Sequence, residues 1–368
     1  MVNVVDLFSG VGGLSLGAAR AGFDVVGAVE IDPHAIGSHH RNFPTTNHSN
    51  VSVADHTAES IADLCGVPVH EIDGIIGGPP CQGFSRIGRQ DIDDSRNNLF
   101  SEFFRLVGEI QPRFFLAENV PGILDEKYVD IREAALNQVA DDYTILPPFK
   151  VTASDYGAPT TRTRVLFIGY KPELVDELTP ASFAPDENVQ QATVADALFG
   201  LPINIQPDWL SEEEGWRQID RMPISEFASN IHGNIPENIG NAECIRRLKD
   251  DNVVSGCLGT RHSPNVEERY RVLLPGKSDQ TSKSRRLENH AFCPTLRAGT
   301  GSDKGSYQAV RPIHPTEARV ITPREAARLQ GFPDWFQFHS TKWHSFRQIG
   351  NSVSPILAGS ILSRFLMD

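Results

Sequence analysis

The chain has 368 residues, 39% hydrophobic and 22% charged. That usage excludes wholesale disorder and is enough to bury a core without staples, in one large domain or two unequal ones. No run approaches the ~20 apolar residues that span a bilayer, and the amino terminus shows no basic flank before an apolar signal core, so no membrane role and a cytoplasmic setting are expected. The formal net charge is −13, but residues 1–250 hold 18 basic and 37 acidic side chains while residues 251–368 hold 16 and 10. The last third is locally basic, which suits a DNA-facing segment, although charge alone equally describes a solvated surface.

In chain order, Val2–Phe8 is a short apolar run broken by Ser9-Gly10, as a buried strand would be. Leu14–Ala21 reads as a helix and Val25–Glu30 as a second strand. Asp32 and Pro33 are start signals for a helix over Asp32–Asn42. Val51–Ala54, Ile72–Gly77, Arg113–Glu118 and Val165–Tyr170 read as further strands. The alternation predicts an α/β fold, a doubly wound parallel sheet with helices on both faces. From residue 172 to 318 the chain turns rich in Pro, Gly, Asn and Ser and loses its periodicity, which predicts a second, loop-rich domain after a first one over 1–171. Thr322-Pro323 then opens a helix to about Gln330 that Gly331 ends, and a last helix covers Ser354–Leu366.

The loop DLFSGVGGLSLG (6–17) joins the first strand to the first helix, with Gly10, Gly12 and Gly13 allowing close backbone approach to a ligand. Glu30 follows Gly10 by twenty positions, where an acidic residue commonly binds ribose hydroxyls. Asp55 closes the third predicted strand, placed to accept from an adenine amino group. The spacing is not GxGxxG, which favours an adenosyl cofactor without a pyrophosphate.

Cys65, Cys81, Cys244, Cys257 and Cys293 form no CxxC pair, so neither a disulfide framework nor a zinc knuckle is expected. Cys81 sits in GGPPCQGFS (77–85), on a Pro-Pro turn at a strand's carboxyl end, the setting of a reactive side chain. A free thiol titrates near ~8.5 and needs positive neighbours or a proton acceptor; Arg162 and Arg164 are candidates. Glu118, in ENV, emerges from an apolar strand into the same crevice. The twelve histidines look dispersed, with His39, His40 and His344 read as surface or interface residues, and no metal is expected.

These motifs, together with TPREAARLQGFP (322–333) and QIGNSVSP (348–355), resemble in order and spacing the DNA (cytosine-5)-methyltransferases, the bacterial restriction-modification type above all. The resemblance spans everything except about 172–318. It implies a Rossmann-like methyltransferase sheet, S-adenosylmethionine as cofactor and S-adenosylhomocysteine as product. It implies transfer of a methyl group to C5 of a flipped-out cytosine in a short sequence of double-stranded DNA. Cys81 is then the nucleophile at C6, Glu118 the partner of the base's N3 and amino group, and Arg164, helped by Arg162, the ligand of O2 or nearby backbone. Phe8, Gly10, Gly12, Gly13, Glu30, Asp55, Pro80, Leu99 and Asn351 would line the cofactor, which requires residues 319–368 to return to the first domain. Gln82, Ser85 and Arg86 would hold DNA with the second, target-recognition domain, where Arg261, Arg285, Arg286 and Arg297 are candidate guanine readers, although arginines bind phosphates more often. A monomer and a cognate endonuclease are expected. The run Thr160-Thr161-Arg162-Thr163-Arg164 departs from the family's usual Gln-Arg-Arg-x-Arg but keeps both distal arginines.

Three other readings remain at this point. An amino methyltransferase would carry an aromatic residue after its prolines and need no thiol. A tRNA cytosine methyltransferase of the same family and an inactive DNA-binding relative are the others.

Overall fold

In the computed structural model, which describes residues 2–80, 98–205, 214–298 and 311–366, the strand–helix alternation becomes one eight-stranded sheet. Its elements are β1 (Asn3–Leu7), α1 (Gly13–Ala21), β2 (Asp24–Val29), α2 (Pro33–Asn42), β3 (Asn47–Ser49), α3 (Ala58–Cys65), β4 (Gly74–Gly77), α4 (Asn98–Ile110), β5 (Phe114–Asn119), α5 (Val129–Leu136), β6 (Thr144–Ile145), β7 (Phe149–Thr152) and β8 (Thr163–Tyr170). The order is β3-β2-β1-β4-β5-β8-β6, with β7 also paired to β8. β1 to β5 are parallel, whereas β5, β6 and β7 all pair antiparallel to β8. The sheet is therefore mixed rather than wholly parallel. β7 and β8 are joined by a short connection, which permits only antiparallel pairing.

Alternation along the strands buries both faces. Val4, Phe114 and Leu116 join one apolar cluster, while Val5, Leu7, Phe115 and Ala117 join another. Asp32 caps α2 by accepting from the His34 and Ala35 amides, with Pro33 at the first helical position, as its sequence signals predict. The strand expected at Val51–Ala54 is not formed. β3 lies earlier, at Asn47–Ser49, and Val53–Asp55 is a 3-10 turn started by the Ser52 hydroxyl, which accepts from the Ala54 amide. That local bond competes with a sheet ladder.

Beyond β8 come α6 (Val194–Leu198), β9 (Arg217–Gln218), α7 (Glu226–His232), α8 (Ala242–Arg246), β10 (Val253–Val254), α9 (Pro264–Val272), α10 (Pro323–Gln330), α11 (Lys342–Asn351) and α12 (Pro355–Leu362). α10 starts with a Thr322–Glu325 capping box and ends at left-handed Gly331. Arg328, fully buried, forks onto Asp334 (2.8 and 2.7 Å) and donates to the carbonyls of Ala197 and Phe199, fastening α10 to α6. α12 lies on α1 so closely that a Cβ on Gly17 would stand 2.3 Å from the Ala358 Cβ. The carboxyl-terminal segment thus returns to the first helix.

Candidate active site

β1 neighbours β2 on one side and β4 on the other, so successive connections diverge at its carboxyl end. In an open α/β sheet, ligands bind at such a switch point. In register, Leu7 stands beside Gly77 and Gly77 beside Ala117. The next residue on each strand is Phe8, Gly78 and Glu118. One row across the sheet therefore delivers the glycine loop, the Pro-Pro turn and the ENV carboxylate to a single rim.

Phe8 is left-handed (φ 61°), a conformation that costs a bulky residue about 1–3 kcal/mol and is held only by its surroundings. Gly10 is also left-handed, and a Cβ there would meet nothing within 4 Å, so its backbone faces open space. Gly12 (φ 102°) is instead tight, with Phe43 2.5 Å from where its Cβ would be. Glu30 accepts from the Gly10 amide (3.0 Å) and the Asp32 amide (2.8 Å), which ties the loop to the end of β2. Burial raises its pKa, and those two backbone donors oppose the rise. Both oxygens retain lone pairs for hydroxyl donors. Beside it Ile31 is 66% exposed, an apolar surface that a flat ring would cover. The open glycine backbone, acidic acceptor and bare apolar patch fit an adenosyl group.

At the adjoining strand ends, Arg164 Nε is paired with Glu118 Oε1, and each side chain is about 10% exposed. Glu118 Oε2 lies 3.3 Å from where a Cβ on Gly78 would be, so only glycine leaves that approach unobstructed. Asn119 Nδ2 donates to the Pro79 carbonyl (3.4 Å). Arg162 is buried, donates to the Leu296 carbonyl (3.1 Å), and has no partner for Nε among the described residues. Burial lowers its pKa well below the usual arginine range, Arg164 adding to the effect and Glu118 opposing it. The Thr-Thr-Arg-Thr-Arg run also pairs with the 293 region: the Thr161 amide donates to the Cys293 carbonyl (3.0 Å). The departure from the family's usual run thus falls at a packed junction.

The other sequence-predicted residues divide. Pro80 and Leu99 are half-buried, and Asn351 is the exposed last residue of α11. Asp55 is exposed and ends the 3-10 turn rather than a strand. Arg261, Arg285 and Arg297 are exposed, Arg285 beside Glu288 (3.4 Å). Arg286 does not fit a base reader: its guanidinium is buried and donates to the carbonyls of Tyr270, Arg271, Leu273, Pro315 and Thr316. Cys81, Gln82, Ser85 and Arg86 lie outside the described residues.

His39 is not a surface residue. It is fully buried and forms a chain in which the Ser15 hydroxyl bonds Asp6 Oδ2 (2.5 Å) and His39 Nε2 (2.9 Å), and His39 Nδ1 meets His48 Nε2 (2.8 Å). Burial pushes Asp6 up to about 7 and His39 well below 6.5. The signal was present: Ala35, Ile36, His39 and Asn42 share one buried helical stripe. Gln348 Nε2 reaches the His34 carbonyl and Ser38 hydroxyl (both 2.9 Å), so α11 lies against α2.

The switch-point sheet, with its Glu30-tied glycine loop beside a recessed carboxylate–arginine pair, is that of the S-adenosylmethionine-dependent Rossmann-like methyltransferases. The family model described as C-5 cytosine-specific DNA methylase matches residues 2–366. The Type II methyltransferase M.XorII of Xanthomonas oryzae pv. oryzae is 40% identical over 366 residues, 97% of this chain and 82% of its own. A solved structure described as a DNA modification methyltransferase encoded within a prophage (E. coli) superposes with a TM-score of 0.90 at 55% identity, over 100% and 99% of the two chains. S. pombe Dnmt2 gives a TM-score of 0.64 at 16% identity over 100% and 98%, a likeness of fold alone. The chain belongs to the C-5 cytosine-specific DNA methylases, and is a DNA (cytosine-5)-methyltransferase of the Type II restriction-modification kind.

Proposed function

We propose that this enzyme methylates one cytosine in a short duplex sequence through a transient bond between Cys81 and C6 of a flipped-out base. The observation that carries the reading is the row Leu7–Gly77–Ala117, which brings the Glu30-tied loop, the turn ending at Pro80 and the Glu118–Arg164 pair to one rim. Cys65, Cys257 and Cys293 are buried with thiols pushed up to about 12 by burial, and Cys244 to about 11, so none of these four is a ready nucleophile. Cys81 is the remaining thiol.

Cytosine C5 is a weak nucleophile until a thiolate adds at C6 and makes C5 an enamine carbon, dividing one hard step into easier ones. Glu118 would share a proton with N3 and bond the amino group, and Arg164 would bond O2. When bound, S-adenosylmethionine supplies an electrophilic methyl group. Glu30 would hold its ribose hydroxyls, with Phe8, Ile31 and the Gly10 backbone around the adenosyl moiety, and Gly12, Gly13, Asp55, Pro80, Leu99 and Asn351 completing the surroundings. Once C5 carries the methyl group, transfer of its proton to a base such as water would expel the Cys81 thiolate and restore the ring. Extruding the base costs a few kcal/mol, which Gln82, Ser85 and Arg86 would help offset, with Arg261, Arg285 and Arg297 from the recognition domain at 172–318. Residues 1–171 and 319–368 would form the catalytic domain. Work as a monomer in the cytoplasm beside an endonuclease of the same specificity completes the proposal.

Bisulfite sequencing of a plasmid from cells expressing the chain tests this. The expected result is protection of one cytosine at every copy of one short motif; unprotected cytosines throughout would refute it.

A further inference from the structure

α2 and α11 meet beside the cofactor rim, and three histidines converge there from opposite ends of the chain. His34 is exposed in the first turn of α2; His339, just before α11, and His344, within it, are half-buried. Ring centroids are 3.8 Å apart for His34 and His344, 4.5 Å for His339 and His344, and 4.9 Å for His34 and His339. One ring nitrogen from each lies within 4.8 Å of the other two.

We propose that His34, His339 and His344 form a binding site for a zinc-type divalent transition metal, which clips α2 to α11. Three nitrogens on one tetrahedral zinc stand about 3.3 Å apart, so the rings need only close up by about 1.5 Å. Exposed His34 can make most of that movement, and its open side leaves the fourth position to water. Imidazole ligands without oxygen or sulfur partners suit zinc, nickel and cobalt rather than magnesium or calcium.

Asp32 acts on the His339 and His344 rings in the direction that favours a cation, while Arg347, 3.6 Å from Asp32 Oδ2, opposes at His344 and Arg41 opposes at His339. His39 and His48 belong to a separate hydrogen-bonded row. The Thr341 amide donates to His339 Nδ1 (3.0 Å), with the Thr341 hydroxyl also 3.0 Å away, which fixes the orientation of the ring. Metal binding at Nε2 has to move that nitrogen's proton to Nδ1, at the expense of the Thr341 amide bond. Sequence reading sees no such site because His34 lies at the opposite end of the chain from the His339–His344 pair.

The test uses the full chain, stripped with EDTA and titrated with zinc chloride by calorimetry. One equivalent should bind and raise the melting temperature. His34→Asn and His344→Asn should each weaken binding at least tenfold, in line with the 10–100-fold that even supporting residues of metal sites contribute. The melting temperature of His34→Asn in EDTA should match that of the unsubstituted chain, showing an intact fold. Cobalt loading provides a second readout, expected to give visible absorption without a thiolate charge-transfer band. Absence of saturable binding, zinc affinity unchanged in His34→Asn, or a thiolate band placing the metal on a cysteine would each overturn the proposal.

Discussion

The Arg164 guanidinium closes on the Glu118 carboxylate where β8 begins beside the end of β5, and neither side chain is more than about 10% exposed. An ion pair this recessed holds both groups in one orientation, as the proposed role at a flipped base requires. Glu118→Gln keeps the shape but removes the proton partner. It should lower kcat by roughly 10²–10⁴-fold, the usual worth of positioned acid–base help, with S-adenosylhomocysteine affinity unchanged. Methyl incorporation and calorimetry measure the two quantities. Removing Arg164 instead leaves a buried carboxylate unpaired, so Arg164→Ala should also lose about 3 kcal/mol of stability in urea unfolding.

Glu30 is both a ligand candidate and a tie for the glycine loop, through Gly10. Glu30→Ala should weaken S-adenosylhomocysteine binding at least tenfold in calorimetry, equivalent to about 1.4 kcal/mol, and should raise the KM for S-adenosylmethionine.

The contact between α1 and α12 makes Gly17 a structural requirement. In Gly17→Ala the new Cβ would meet Ala358 and the Gly359 amide at 2.3–2.7 Å, and these atoms are mostly backbone, so the helices must part. Overpacking of this kind costs about 1–3 kcal/mol. Thermal unfolding should show a melting temperature several degrees lower.

Stability should fall toward acid pH. In the folded chain burial holds His39 well below 6.5 and pushes His48 and His314 down to about 4. The unfolded chain protonates these groups as pH falls through 6.5, so it binds more protons and gains relative stability. Asp6 acts the other way: its folded carboxyl titrates near 7, so its contribution is full below 3.8 and is lost as pH rises through 7. Urea unfolding between pH 5 and 8 should show the acid loss reduced in His39→Gln and the alkaline loss reduced in Asp6→Asn.

What the sequence discloses is mostly local. The cap at Asp32, the Thr322 cap and the Gly331 stop are each set by neighbouring residues, and each stands where its signals place it. The place of Glu118 at the end of a buried strand followed from the apolar run before it. The antiparallel pairing of β8 was hidden because register depends on a connection, not on the strand's own pattern. The strand expected before Asp55 is absent because a serine-started turn carries the same apolar spacing as a short strand. The framework duty of Arg286 and the meeting of His34 with His339 and His344 depend on distant chain segments, which no window can display.

The covalent step has the most direct test. A duplex bearing 5-fluorocytosine at the modified position has no C5 proton to lose, so the thiol cannot leave after methyl transfer. Incubated with S-adenosylmethionine and this duplex, the chain should form a denaturation-resistant adduct that peptide mass spectrometry assigns to Cys81, carrying one methyl group on the base. Cys81→Ala should form none. Attachment at another residue, or methylation of ordinary duplex by Cys81→Ala at near the unsubstituted rate, would contradict the account.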